Sequence, residues 1–337
     1  MTTVDATRGS LYAELARQVR DAGLLRRRPG YYTARISATV AAYAGAWVAV
    51  VLVGSTWWAL APAAVMAVAS TQLGFIGHDA GHKQIFRGRR ANDLLGVVAG
   101  DLGIGLSYGW WIDKHNRHHA HPNQEGKDPD IASGVLVFAE GGGEGLSRTG
   151  VRRLWTRLQA FVFFPLLLLE GLHLHVASVR ALAGPRARYR RLEISLFTVH
   201  VIGYFGTLFV VLTPGQAVAF IAVHQGLFGL YMGCSFAPNH KGMPVLSADD
   251  AMDFLHRQVL TSRNVAGGRL VDGILGGLNY QIEHHLFPSM PRPSLRRAQP
   301  LIRRFCAEHA IAYTQTNLFD SYRQALRHLH KVGRPQR

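Results

Sequence analysis

The run His78-Asp79-Ala80-Gly81-His82 sets two imidazoles four residues apart. On a helix, positions i and i+4 share a face, about 5–6 Å apart at Cβ, which is a spacing that lets both rings reach one ion. Imidazole returns in His115-Asn116-Arg117-His118-His119, at i, i+3 and i+4, and in Gln281-Ile282-Glu283-His284-His285, where a glutamine takes the i position. His240 follows in Pro238-Asn239-His240-Lys241. Neutral imidazole is a ligand for Zn, Cu, Fe or Ni. Structural zinc closes with four ligands and catalytic zinc takes three, so eight histidines are too many for one zinc ion and suit two ions of roughly octahedral preference. Asp79 reads as a partner that orients a ligand rather than as a ligand itself.

Long apolar segments deliver these residues. Of 337 residues 48% are hydrophobic, and no charged residue occurs from Ile36 to Gly77 or from Ile194 to His240. A membrane-spanning helix needs roughly 20 apolar residues, so each run holds two spans. Gly54-Ser55-Thr56 and Thr213-Pro214-Gly215-Gln216 supply turns between them. The expected architecture is an all-α integral membrane fold with four transmembrane helices as two hairpins, about 36–53 with 57–77 and 194–212 with 216–236. Residues 1–35 form a cytosolic N-terminal segment, and 78–193 with 237–337 form a cytosolic helical cap within a catalytic domain of 36–337. Segments 94–112, with Asp101, and 158–179, with Glu170 and Pro165, read as interfacial or re-entrant, because a mid-bilayer carboxylate costs about 2.5–3.5 kcal/mol.

The formal charge is +16, and its positives cluster at Arg26-Arg27-Arg28, Lys83 to Arg90, Arg186 to Arg191 and the C-terminal tail. Neither hairpin turn carries Lys or Arg. This placement follows the positive-inside rule, not nucleic-acid binding, and puts both termini, the long loops and the histidine clusters on the cytosolic side. All clusters share that side only if 158–179 does not cross. Cys234 and Cys306 offer no disulfide framework, the first apolar run starts too late and runs too long for a cleaved signal peptide, and Gly141-Gly142-Gly143 reads as a flexible loop. Two irons beside a membrane point to O2 activation and attack on an unactivated C–H bond of a lipid.

The other histidines read differently. His121 lies off the ligand face, while His309, His328 and His330 are expected to be solvated in a basic helical tail. His173 and His175 accompany Glu170, and His200 and His224 are expected to bond neutrally to neighbouring helices. His256 stays unassigned. A metal transporter would place its histidines at the membrane midplane, and His78-Asp79-Ala80-Gly81-His82 lacks the glutamate of a zinc protease's His-Glu-x-x-His.

Together, His78 to His82, His115 to His119 and Gln281 to His285 resemble the three histidine boxes of the integral-membrane fatty acid desaturases, and the resemblance extends from about Tyr31 to about Leu329. It implies a non-haem di-iron centre that uses O2 and two electrons to insert a double bond into a long acyl chain carried as acyl-CoA or acyl-lipid. His240 matches a further family ligand at the end of the fourth span, and Asn239 its helper. Gln281 stands where many desaturases have histidine, a feature shared with front-end enzymes; its amide is expected to orient a ligand. The sequence has no His-Pro-Gly-Gly haem motif of a fused cytochrome b5 and no Gly-x-Gly-x-x-Gly nucleotide turn. Electrons are therefore expected from a separate donor such as ferredoxin with its reductase, docking on Arg87, Arg89, Arg90 and the arginines of 186–191. The expected location is the plasma membrane of a bacterium. A hydroxylase, acetylenase or alkane oxygenase on the same scaffold is the alternative.

Overall fold

A computed structural model describes residues 10–132, 134–139, 150–184 and 189–334. The glycine loop at 141–143 and Arg186 and Arg188 lie outside the described residues. In chain order the helices are α1 (Leu11–Asp21), α2 (Pro29–Val53), α3 (Leu60–Gly81), α4 (Arg89–Val97), α5 (Tyr108–Ala120), α6 (Gly150–Leu167), α7 (Glu170–Ala183), α8 (Arg190–Val211), α9 (Pro214–His240), α10 (Phe254–Leu260), α11 (Gly268–Ile274), α12 (Gln281–Leu286), α13 (Arg292–Glu308) and α14 (Leu318–Val332). A 3-10 turn, Trp57–Ala59, leads into α3, and a π-helical turn, Val98–Ile104, follows α4. The all-α expectation holds, and among the described residues the named strands are a single short parallel pair, β1 (Asn264–Ala266) against β2 (Gln315–Asn317), in register Asn264 to Gln315.

Four helices are long and apolar enough to cross a membrane: Pro29–Val53, Trp57–Gly81, Arg190–Val211 and Pro214–His240. They coincide with the four expected spans but run past them, for a simple reason. A charge-free run measures apolar length, whereas the backbone ladder continues wherever no breaker intervenes. α2 thus begins seven residues before the expected boundary, so a limit at 35/36 falls inside it, and α3 and α9 continue through His78 and His240. Gly54 closes α2 with φ 62°, a left-handed angle that glycine adopts without a Cβ penalty. At the other turn, Thr213 and Gln216 form a reciprocal capping box. Ser55 Oγ donates to Gln216 Oε1 at 2.8 Å, so the two turns lie side by side.

α3 is the central helix, packed between α2 and α9. Met66, Ala63, Leu208 and Phe220 are fully buried between the spans, while Leu52, Ile202 and Val210 point outward at 80%, 67% and 86% exposure, the face an apolar solvent would cover. The segment 94–112 folds as the end of α4, the π turn and the start of α5, wedged against α3 and α8. The segment 158–179 is broken, with α6 and α7 bent by 81°. α1 belongs to the packed body of the chain. Its Leu15 and Val19 join Leu255, Ile302 and Phe305 in a core with α10 and α13.

Candidate metal centre

Each histidine cluster is held by a different device. The last turn of α3 presents His78 and Asp79, and His82 is its C-cap. Gly81 lies between them because a Cβ there would sit 2.7 Å from Cζ3 of Trp111; that ring stacks on His115, with centroids 4.6 Å apart. α5 carries His115, His118 and His119, and its start is clamped. Ser107 Oγ accepts from Trp110 N and donates to Glu193 Oε2 at 2.6 Å, and the same carboxylate oxygen accepts from Gly109 N. A carboxylate at a helix N-terminus answers both the orphan N–H groups and the dipole.

α9 brings His240 through a proline. Pro238 has no N–H for the carbonyl of Cys234, and Tyr322 Oη donates to that carbonyl instead, at 2.5 Å. The carbonyl of Pro238 accepts from Arg263 Nη2 at 2.6 Å and from Ser321 Oγ. Arg263 is fully buried, so these carbonyl partners satisfy a charge that would otherwise be costly. α12 is only six residues long and is pinned from outside. Asn264 Oδ1, on β1, accepts from Ile282 N, and its Nδ2 donates to Glu283, which Tyr313 also donates to. Burial pushes Glu283 up to about 7.

The structure brings all eight histidines into one site, seven of them in two groups. His78, His82, His115 and His284 converge in the first, and His118, His240 and His285 in the second, each group with its ligand atoms within 4.8 Å of one another. His119 lies between them. It stacks on His285 with centroids 4.2 Å apart, and its Nε2 is 3.1 Å from that of His115. Nε2 atoms also meet at 2.9 Å between His82 and His115 and at 3.1 Å between His240 and His285. Two nitrogens about 2.1 Å from one ion lie about 3.0 Å apart at a right angle and about 3.4 Å apart at a tetrahedral angle. The observed separations are short enough for both nitrogens of each pair to reach one ion.

The unused donor atoms support the same fit. His78 Nε2 and both ring nitrogens of His284 are buried without a hydrogen-bond partner, a cost that an ion would remove. Burial and the neighbouring rings lower His82, His115, His119, His284 and His285 well below the usual histidine range, which keeps them neutral as ligands. His118 is the exception: burial is outweighed by Asp130 and Asp128, and its pKa is raised.

Partners of the other ring nitrogen orient the ligands. His118 Nδ1 donates to Asp128 at 3.0 Å, His240 Nδ1 to the Thr261 carbonyl at 3.0 Å, and His285 Nδ1 to Gln258 Oε1 at 2.9 Å. His78 Nδ1 lies 3.2 Å from Asp79 Oδ1, whose partner oxygen pairs with buried Arg292 at 2.7 Å. Gln281 is turned so that its Oε1 accepts from Asn239 Nδ2 while its Nε2 lies 2.9 Å from His240 Nε2. In this network the amide offers the site a donor, not a ligand atom.

Spacing does not mark Asp128, Gln258, Thr261, Arg263 or Arg292; of these Asp128 alone carries a signal, in Asp128-Pro129-Asp130, a carboxylate pair close after a histidine triad. The remaining histidines stay outside the groups. His121 contacts Gln124, and exposed His173 contacts Glu170. His256 pairs with Asp253. His224 bridges Ser70 of α3 and Tyr204 of α8, and His200 Nδ1 donates to the Leu102 carbonyl, as neutral helix-bonded rings. The expectation of solvated tail histidines is corrected. His309 stacks on Phe305 and His328 donates to the Phe138 carbonyl, because α13 and α14 are amphipathic and pack their inner faces.

A sequence model of the fatty acid desaturase family matches residues 55–317. Over 90% of its length the chain is 31% identical to an acyl-lipid (9-3)-desaturase of Physcomitrium patens, of which it spans 59%. It is 30% identical to a Delta(5) fatty acid desaturase of Caenorhabditis elegans, over 92% of this chain and 71% of that one. It is 29% identical to fatty acid desaturase 3 of Bos taurus, over 96% and 72%.

Proposed function

The chain belongs to the fatty acid desaturase family, and from that premise we propose that it is an integral-membrane acyl desaturase. It would remove two vicinal hydrogens from a long acyl chain; O2, two electrons and two protons leave with them as two waters. The observation that carries this reading is the convergence of His78, His82, His115 and His284 in one group and of His118, His240 and His285 in a second, with His119 between them.

The proposed ligands are His78, His82, His115, His119 and His284 for one ion and His118, His240 and His285 for the other. When bound, two non-haem irons would supply O2 reduction and C–H cleavage. The protein supplies the rest. Asp128, Thr261 and Gln258 hold Nδ1–H tautomers, leaving Nε2 lone pairs facing inward. Trp111, stacked on His115 and beside His78, shields the first group from water. Gln281, oriented by Asn239, keeps an N–H donor at the edge of the second group, and Asp79 with Arg292 fixes the last turn of α3.

The substrate is proposed to be an acyl-CoA or acyl-lipid, and the electron donor a separate acidic protein such as ferredoxin. Exposed Arg87, Arg89 and Arg90 support that docking face. The charge distribution supports termini and site on the cytosolic side. A bacterial plasma membrane is proposed as the location, to be checked by membrane fractionation; the relatives named above are eukaryotic. Expression in a host of defined lipid composition with a ferredoxin system, followed by mass spectrometry, is expected to give products lacking two hydrogens. Products that instead gain oxygen would reassign the chain to a hydroxylase on the same scaffold.

A further inference from the structure

Away from the histidines, α6 and α14 enclose a groove of about 920 Å³. Its walls are of two kinds. Phe161, Phe164 and Phe319 make an apolar floor, and Phe161 and Phe319 are 71% and 78% exposed. Arg323, Arg327, Lys331 and Arg334 make the rim, and among the described lining residues there is no carboxylate. α6 continues the apolar surface outward. Val151, Leu154, Leu158 and Phe161, at intervals of three and four residues, form one exposed stripe. Such a stripe in water would be a liability, whereas against acyl chains it is covered.

We propose that this groove binds an anionic phospholipid, with its headgroup phosphate on the arginine rim and an acyl chain along Phe161, Phe164 and Phe319. Charge complementarity decides the class of ligand. A zwitterionic lipid brings its own cation toward the rim, while a net negative headgroup meets the guanidinium groups of Arg323, Arg327 and Arg334, within a Debye length of the membrane surface. The paired apolar floor excludes a bare phosphate ion as the intended ligand. The site also connects to the histidines. Tyr322 lines the groove, and its hydroxyl occupies the Cys234 carbonyl that Pro238 leaves open, two residues before His240. A lipid seated here packs α14 onto the turn that presents His240.

The test uses the full chain in vesicles of phosphatidylcholine alone or mixed with phosphatidylglycerol, with retained lipid read by native mass spectrometry after mild extraction. Phosphatidylglycerol is expected to be retained preferentially, and added inorganic phosphate to leave that retention unchanged. Arg323→Glu with Arg327→Glu should cut retention by about tenfold or more, with the helical circular dichroism of the extracted protein unaltered. Phe319→Asn, at an exposed side chain, should weaken retention without changing the charge preference, and serves if the double variant does not fold. Equal retention of both lipids, or loss of retention on adding phosphate alone, overturns the proposal. So does a reversal variant that keeps its lipid but no longer accepts electrons from an acidic donor, which would make the groove a protein-docking face.

Discussion

His118, His240 and His285 and the group of His78, His82, His115 and His284 use the same side chain in different settings. In the first, all three Nδ1 atoms donate to fixed acceptors from Asp128, the Thr261 carbonyl and Gln258. In the second, His78 Nδ1 faces Asp79, and among the described residues neither nitrogen of buried His284 has a hydrogen-bond partner. A histidine whose far nitrogen is held pays less orientational entropy on meeting an ion and presents a fixed tautomer. The His118 group is therefore oriented by acceptors behind its rings, and the His78 group more by packing of its rings against Trp111.

The largest expected effect is common to both. His118→Ala and His284→Ala should each reduce product to background and lower bound iron; full turnover in either variant ends the assignment of these ligands. The groups should then separate on titration with a chelator, the His118 group retaining its iron at about tenfold higher chelator concentration. A single phase of iron loss would break the comparison. Asp128→Asn should erase the difference, weakening metal binding by about 10–100-fold. Asp79→Asn should act through stability instead, because it strands Arg292 as a buried unpaired charge at a cost of about 3–5 kcal/mol.

A smaller effect tests the wall of the His78 group. Gly81→Ala forces a Cβ against Trp111 and Ile112, and should cost about 1–3 kcal/mol, seen as a lowered melting temperature. The smallest concerns the base of α5. Asp101 lies fully buried beside Glu193, accepts from Tyr108 N, and is pushed up to about 8 by burial and by Glu193. A carboxyl raised in the folded state favours folding below its unfolded pKa and loses that advantage as pH rises toward 8. Asp101→Asn should therefore raise the melting temperature more at pH 8 than at pH 5. An equal gain at both would show that Asp101 does not titrate there.

Much of this molecule was legible in one dimension. The charge-free runs located four long apolar helices, since length and composition are local properties, and the intervals of three and four residues marked which imidazoles share a helix face. Even the bent path at 158–179 was foreshadowed by Glu170 and Pro165. Other features were out of reach. That His118 stands with His240 and His285 rather than with its neighbour His115 depends on where α5 crosses α9 and α12. Gln258, Arg263 and Arg292 look like ordinary surface residues in the sequence, yet are buried, and Asn264 reaches Glu283 only because β1 pairs with β2. Spacing along the chain decides which donors lie on one face of a helix; only packing between helices decides which faces meet and which acceptor stands behind each ring, because those contacts join residues far apart in sequence.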